Sequence, residues 1–482
     1  MSKSILLKNT IIYSIGEIFP KLVSFLLLPI FTSYLSEADY GIISYTNSVM
    51  FFLFVFSALA LNTYLLREFF ECKTEAEQKR LIGSVFFTIL AINVIILILG
   101  YLFGPTIIKY THLQIPFYPF FSLLLLNNFC EALSIVPLVV YRVHENALAY
   151  VIISILRAIL IFAFTYAFII HLDLGILGNF YGRLFVNAFF VLIYLYIIFK
   201  NSIINIDFTA IRKSLVFSLP LIPGAIGYLL MNMSDRIILE RYVSLSDIGI
   251  YSVAYTLAYS LTIVIQSGYR SFEPEIYRRY DSPDFNEFVE NIHKVYMFVV
   301  YFLALMLVIF AKDVLQVMTK GNFIQGYILI PLIVIGVIAT AQNAILISIV
   351  ISEKNTKLSG LSTVIGGFIS IGFNLLFIPQ YGTSAAALAS SIAYISMNVI
   401  VLSKMKFKSS VIKSDFLSFF LFIIVAIVIT LIFGHKATSF LTLCLKLIIS
   451  AISFVFLFLI YRLKISEFNF LLAFFTKPRK NS

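Results

Sequence analysis

The chain has 482 residues, of which 61% are hydrophobic and only 12% charged, with a mean hydropathy of +0.99. A water-soluble chain of this size does not carry so few charges, so most of it must be solvated by lipid. A formal net charge of +11 would point to nucleic acid in a soluble protein; here it directs attention to how Lys and Arg are shared among loops, and nucleic acid is not an expected partner.

Cys72, Cys130 and Cys444 show neither a pairing pattern nor ligand spacing, and His112, His144, His171, His293 and His435 fall in loops or at the ends of apolar runs. The chain has no glycine-rich nucleotide turn and no Ser-His-Asp set. Neither a metal, an organic cofactor nor an enzyme active site is expected. Residues 1–8 are short and basic, and the apolar run behind them passes through Glu17 and Lys21 without a small-residue cleavage site. That pattern predicts a retained first helix, not a signal peptide.

Crossing the hydrocarbon of a bilayer takes about 20 apolar residues. The rule predicts helices over 10–34, 41–66, 81–104, 117–141, 148–171 and 175–199, a first lobe within residues 1–200. A second lobe, 201–408, repeats the arrangement over 214–240, 248–270, 295–311, 324–351, 358–379 and 383–403. Helices over 415–433 and 440–461 and a basic tail make up 409–482. The expected fold class is all-α: a polytopic membrane protein of 14 transmembrane helices, two six-helix lobes related as a parallel repeat, and two further C-terminal helices.

The repeat is visible in the residues themselves. Tyr34-Leu-Ser-Glu-Ala-Asp39-Tyr-Gly41-Ile-Ile-Ser44 returns 208 residues later as Tyr242-Val-Ser-Leu-Ser-Asp247-Ile-Gly249-Ile-Tyr-Ser252, each copy between two long apolar runs. A second echo links Gly175-Ile-Leu-Gly178-Asn-Phe-Tyr-Gly182 with Gly382-Thr-Ser-Ala385-Ala-Ala-Leu-Ala389, where small residues let helices approach closely.

With both termini placed in the cytoplasm, only Lys109, Arg241, Lys312, Lys320 and Lys436 fall in outside loops, and most of the 35 Lys and Arg fall inside. The positive-inside rule is met. Trp is absent, so Tyr34, Tyr64, Tyr110, Tyr141, Tyr242 and Tyr461 are the expected interfacial anchors.

A charge at the bilayer centre costs about 2.5 to 3.5 kcal/mol on insertion scales, so each one needs a partner, a wet cavity or an edge position. Glu17 and Lys21 lie one turn apart on the first helix and can neutralise each other. Arg157 and Arg183 sit on the order of 12 Å deep in the fifth and sixth helices with no acid within four residues. Such guanidiniums point to a cavity and, by their fork of donors, to phosphate. Asp235 and Arg236 lie nearer a helix end, and Arg270 and Lys446 are within reach of water by snorkelling. Glu131, preceded by Asn127 and Asn128, places a carboxylate at mid-depth, either as counter-ion to an Arg or as a site for a coupling Na+ or H+. Pro20 and Pro29 interrupt the first helix and Pro220 and Pro223 the seventh, its repeat partner, which marks them as candidate hinges.

Leu28-Pro-Ile-Phe-Thr-Ser-Tyr-Leu-Ser-Glu-Ala-Asp-Tyr-Gly41 and Pro379-Gln-Tyr-Gly-Thr-Ser-Ala-Ala-Ala-Leu-Ala389 resemble the polysaccharide flippases (Wzx-like O-antigen transporters) of the multidrug/oligosaccharidyl-lipid/polysaccharide exporter superfamily. The resemblance implies that an undecaprenyl-diphosphate-linked oligosaccharide unit, of O-antigen or a related surface polysaccharide, is flipped across the bacterial inner membrane by alternating access of two lobes. It implies further that Lys21, Arg157, Arg183 and Arg236 hold the anionic head, with Glu17, Glu131 and Asp235 as counter-ions or ion-coupling groups. The lipid bilayer and the polysaccharide polymerase machinery are the partners it suggests. Two alternatives stay open: a cation-coupled multidrug exporter of the same superfamily, using the buried carboxylates, and a membrane-embedded polymerase or acyltransferase. The second would require a large outer loop or a buried His-Asp set, and neither is expected from the placing of these residues in the sequence.

Overall fold

A computed structural model describes residues 16, 19, 20, 22, 23, 25–203, 208–407, 409–434 and 440–461, and these are helical almost throughout. The helices are α1 (Leu28–Tyr34), α2 (Glu37–Ala58), α3 (Leu61–Glu68), α4 (Glu75–Thr111), α5 (Ser122–Ala132), α6 (Ile135–Val143), α7 (Ala147–Ile170) and α8 (Ile176–Asn201). They continue as α9 (Phe208–Ser218), α10 (Ile222–Leu239), α11 (Leu245–Arg279), α12 (Phe285–Met318), α13 (Ile330–Ser352), α14 (Thr356–Lys404), α15 (Ser410–Gly434) and α16 (Phe440–Tyr461).

Eleven helical stretches among the described residues are long and apolar enough to span a bilayer. One of them, α14, holds both of the apolar runs expected over 358–379 and 383–403, because Gly382 within it takes φ 54°, ψ −130° just after Pro379 and breaks the helix. Helix α15 adds a shorter apolar stretch over Ser418–Phe433, so the described residues are roughly consistent with the 14 spans expected. The chain is all-α and polytopic, in keeping with the period and length of its apolar runs.

Some spans run beyond the hydrocarbon. Helix α11 extends to Arg279 and α12 begins at Phe285, so most of the loop expected over 271–294 is helix. His293, expected in that loop, is therefore a fully buried residue of α12. Tyr64 and Tyr461 also depart from expectation, being buried while Tyr34, Tyr110 and Tyr242 are exposed. Tyr64 packs on Phe217, and the Tyr461 hydroxyl is taken by Asp415.

The chain divides into two compact units, residues 1–229 with 233–249, and residues 230–232 with 250–482. In the first unit the echoed Ser-x-x-Asp motif forms reciprocal caps. Ser36 Oγ accepts from the Asp39 amide while Asp39 Oδ2 accepts from the Ser36 amide (3.2 and 3.0 Å), starting α2; Ser244 and Asp247 do the same (3.1 and 3.3 Å) at the start of α11. The glycines that follow sit at a crossing. A Cβ on Gly41 would lie 1.9 Å from the Leu245 carbonyl oxygen, and one on Gly249 would lie 1.9 Å from that of Glu37. The shared motif thus encodes one capped helix start twice, and its glycines let the two starts touch.

The second echo has the same meaning. Gly175 (φ 51°, ψ −133°) opens α8 in the backbone conformation that Gly382 adopts within α14. Gly178 and Gly182 then bring α8 onto α7, where added Cβ atoms would stand 2.7 Å from the backbone of Ile169 and Thr165. That close seam fixes the faces of α7 and α8 that carry Arg157 and Arg183.

Candidate functional site

A cavity of about 520 Å³ lies inside the first unit, lined by residues of α2, α5, α6, α7, α8 and the segment before α1. Among its lining residues are Pro20, Glu131, Arg157, Arg183, Asn187 and Tyr194. Two of the four basic residues expected to hold a headgroup are here together with the mid-depth carboxylate.

The two arginines are held differently. Arg157 donates from Nε and Nη2 to Asn187 Oδ1 (3.1 and 2.9 Å), and its Nη2 lies 3.2 Å from Glu131 Oε1. Asn187 Nδ2 in turn donates to Asn127 Oδ1 (3.1 Å), and Asn127 Nδ2 donates to the carbonyls of Leu123 and Phe180. This chain of side-chain amides orients one guanidinium across three helices, with every member satisfied. Asn128, beside Asn127, faces elsewhere and donates to Ser57 Oγ at 2.8 Å.

Arg183 donates from Nη1 to Asn47 Oδ1 of α2 at 2.9 Å, and among the described residues it has no carboxylate within ion-pair distance. It sits one turn before Asn187 on α8, so both arginines approach the cavity from the α7–α8 seam. With Glu131 opposed to Arg157, the described lining keeps one uncompensated positive charge, the condition for attracting an anion into a place of low dielectric. The Arg183 fork, with donors left over after Asn47, suits two oxygens of one phosphate.

The other candidates lie apart. Arg236 Nη1 pairs with Asp235 Oδ1 at 3.0 Å and its Nε donates to Ser44 Oγ at 3.2 Å; both members are buried, and neither lines the cavity. Glu17 and Lys21 lie outside the described residues. Pro29 stands in the first turn of α1, Pro220 in the 3-10 turn Leu219–Leu221, and Pro223 in the first turn of α10, so each occupies a helix start where the missing N–H costs nothing. Lys446 is buried and paired with Asp313, which neutralises it without snorkelling. The three cysteines are free, and the described residues contain no cluster of His, Cys, Asp and Glu that could hold a metal.

Sequence reasoning missed Asn47, Asn187 and Tyr194. Asn187 carried a signal, a polar residue four positions after Arg183 in an apolar helix, whereas Asn47 becomes a partner only through the packing of α2 on α8.

Residues 6–270 match the family described as "Polysaccharide biosynthesis protein". A protein of the Lsg locus of Haemophilus influenzae is 24% identical over 392 residues, covering 78% of this chain and 94% of that relative. Among solved structures, the lipid II flippase MurJ in an inward closed conformation superposes with a TM-score of 0.73 at 19% identity, covering 94% of this chain and 99% of that one. An inward-facing multidrug resistance MATE family transporter of the MOP superfamily gives 0.65 at 12% identity, covering 86% and 98%. The fold is thus shared with a flippase and with a multidrug transporter. The chain therefore belongs to the polysaccharide biosynthesis protein family and is a multi-pass membrane protein with the fold seen in MurJ and in the MATE transporter.

Proposed function

We propose that this protein flips a diphosphate-linked polyprenyl oligosaccharide, the repeat unit of O-antigen or a related surface polysaccharide, from the inner to the outer leaflet of a bacterial inner membrane. Both termini face the cytoplasm, and a polymerase takes the product on the outer side. The observation that carries this reading is the cavity in which Arg183 stands without an acid among the described residues, beside an Arg157 already opposed by Glu131. A diphosphate brings negative charge to that guanidinium and replaces the water it would otherwise need. The polyprenyl tail stays in lipid, and the sugars occupy the rest of the cavity. The cycle is alternating access of two lobes, with the proline breaks before α1 and α10 as hinges.

A multidrug transporter, which the MATE neighbour's name describes, would need an unopposed carboxylate to take a cationic drug. Glu131, the one acid among the described lining residues, already faces a guanidinium.

The test is surface polysaccharide production by cells carrying Arg183→Ala, Arg183→Lys or Arg157→Ala, compared at equal amounts of inserted protein. Both alanine variants lose export at least tenfold. Arg183→Lys, a point charge in place of a fork, restores part of it. Full export by Arg183→Ala would overturn the cationic-cavity reading.

A further inference from the structure

In the second unit, α15 and α16 pack against α12, and four polar side chains meet at that seam. Asp415 of α15 is buried, and its carboxylate accepts hydrogen bonds from the hydroxyls of Tyr461 on α16 and Tyr301 on α12. His293, one helical stretch before Tyr301 on α12, is fully buried with Nε2 3.9 Å from Asp415 Oδ2. Among the described residues neither ring nitrogen of His293 has a hydrogen-bond partner. Phe422 and Tyr461 pack on the Tyr301 ring, so the seam is apolar on either side.

Among the described residues, other charged groups on or beside these elements are engaged elsewhere. Glu290 of α12 accepts from Ser409 Oγ at 2.6 Å, and Glu353, at the end of α13, accepts from the backbone amides of Lys406 and Phe407. Asp313 and Lys446 pair with each other further along α12 and α16. Lys294 follows His293 but leaves the helix about 100° away. Facing one another across the seam are thus one carboxylate, one imidazole and two phenols.

A carboxylate buried among phenols, with no guanidinium or ammonium against it among the described residues, cannot keep its charge without cancellation. A proton provides it, on the carboxyl oxygen or on the imidazole 3.9 Å away, so the two groups titrate as one pair. The unpartnered imidazole fits this: its nitrogens lack any bond that would fix one tautomer, and a small rotation brings Nε2 within hydrogen-bond reach of Asp415. We infer that Asp415 and His293 form a buried proton-binding site at the seam of α12, α15 and α16, separate from the cavity of the first unit.

The test is infrared difference spectroscopy of the full-length protein in lipid vesicles, titrated with pH. The parent shows a protonated-carboxyl C=O band that titrates, and Asp415→Asn abolishes it. His293→Gln keeps the band and moves its midpoint to higher pH, because the imidazolium no longer offsets the carboxylate charge. A titrating band that survives Asp415→Asn, or a midpoint indifferent to His293→Gln, would overturn the proposal. Should Asp415→Asn fail to insert, the midpoint of His293→Gln decides alone.

Discussion

Arg157 and Arg183 show how little a basic residue in an apolar run says about its own surroundings. Both stand within long apolar helices, yet one is bound by an amide and a carboxylate and the other by a single amide. Their presence was legible because a charge in such a run is conspicuous; their partners were not, because the facing residue on another helix is set by packing. The difference predicts different costs. Losing one member of a fully buried ion pair costs about 3–5 kcal/mol, but the Arg157 and Glu131 side chains are 20% and 33% exposed, so about 1–2 kcal/mol is expected after screening. Glu131→Gln should lower the free energy of unfolding in detergent micelles by that amount, and Arg157→Leu in the same chain should recover part of the loss by removing the unpaired charge. A double-mutant cycle reads the coupling. Additive single effects would show that the pair contributes nothing.

At the scale of elements, most of the fold could be read from the chain because apolar length, capping residues and small-residue spacing all point the same way. The ends of α11 and α12 could not, since Ser271–Arg279 and Phe285–Lys294 read as polar loop and yet continue a helix past the hydrocarbon. That same extension hid His293. The glycines of the repeated motif give this level its own prediction. Gly41 and Gly249 face backbone carbonyls that cannot rotate aside, so Gly41→Ala or Gly249→Ala overpacks the crossing and costs about 1–3 kcal/mol. Gly224 and Gly360 have open space where a Cβ would go, and alanine there should be close to neutral. Thermal unfolding of the four variants separates the two classes; equal midpoints would mean that the crossing yields easily.

For the whole molecule, charge distribution and contacts agree on which loops share an end. Residues counted as inside meet one another: the Ile203 amide donates to the Lys79 carbonyl, Lys213 pairs with Glu68, and Arg67 lies over Phe217. Residues counted as outside do so too, with Gln114 donating to Glu240 and to the Val243 carbonyl. The sequence repeat conserves the geometry of helix starts but not the charge: 207 residues beyond Arg183 and Asn187 stand Ser390 and Tyr394, and no Lys or Arg occurs from 358 to 403. The copy of the repeat in the first unit therefore carries this arginine pair, and the corresponding positions of the second do not. This layout requires that the short, poorly basic loops be extracellular. In a chain with Cys72, Cys130 and Cys444 replaced by Ser, a membrane-impermeant thiol reagent on intact spheroplasts should label Thr111→Cys and Leu172→Cys. Lys73→Cys and Lys200→Cys should stay unlabelled until the membrane is permeabilised. The opposite pattern would invert the topology, and with it the direction in which Arg183, carried about 10 Å along α8 from its Gly175 end, meets the headgroup.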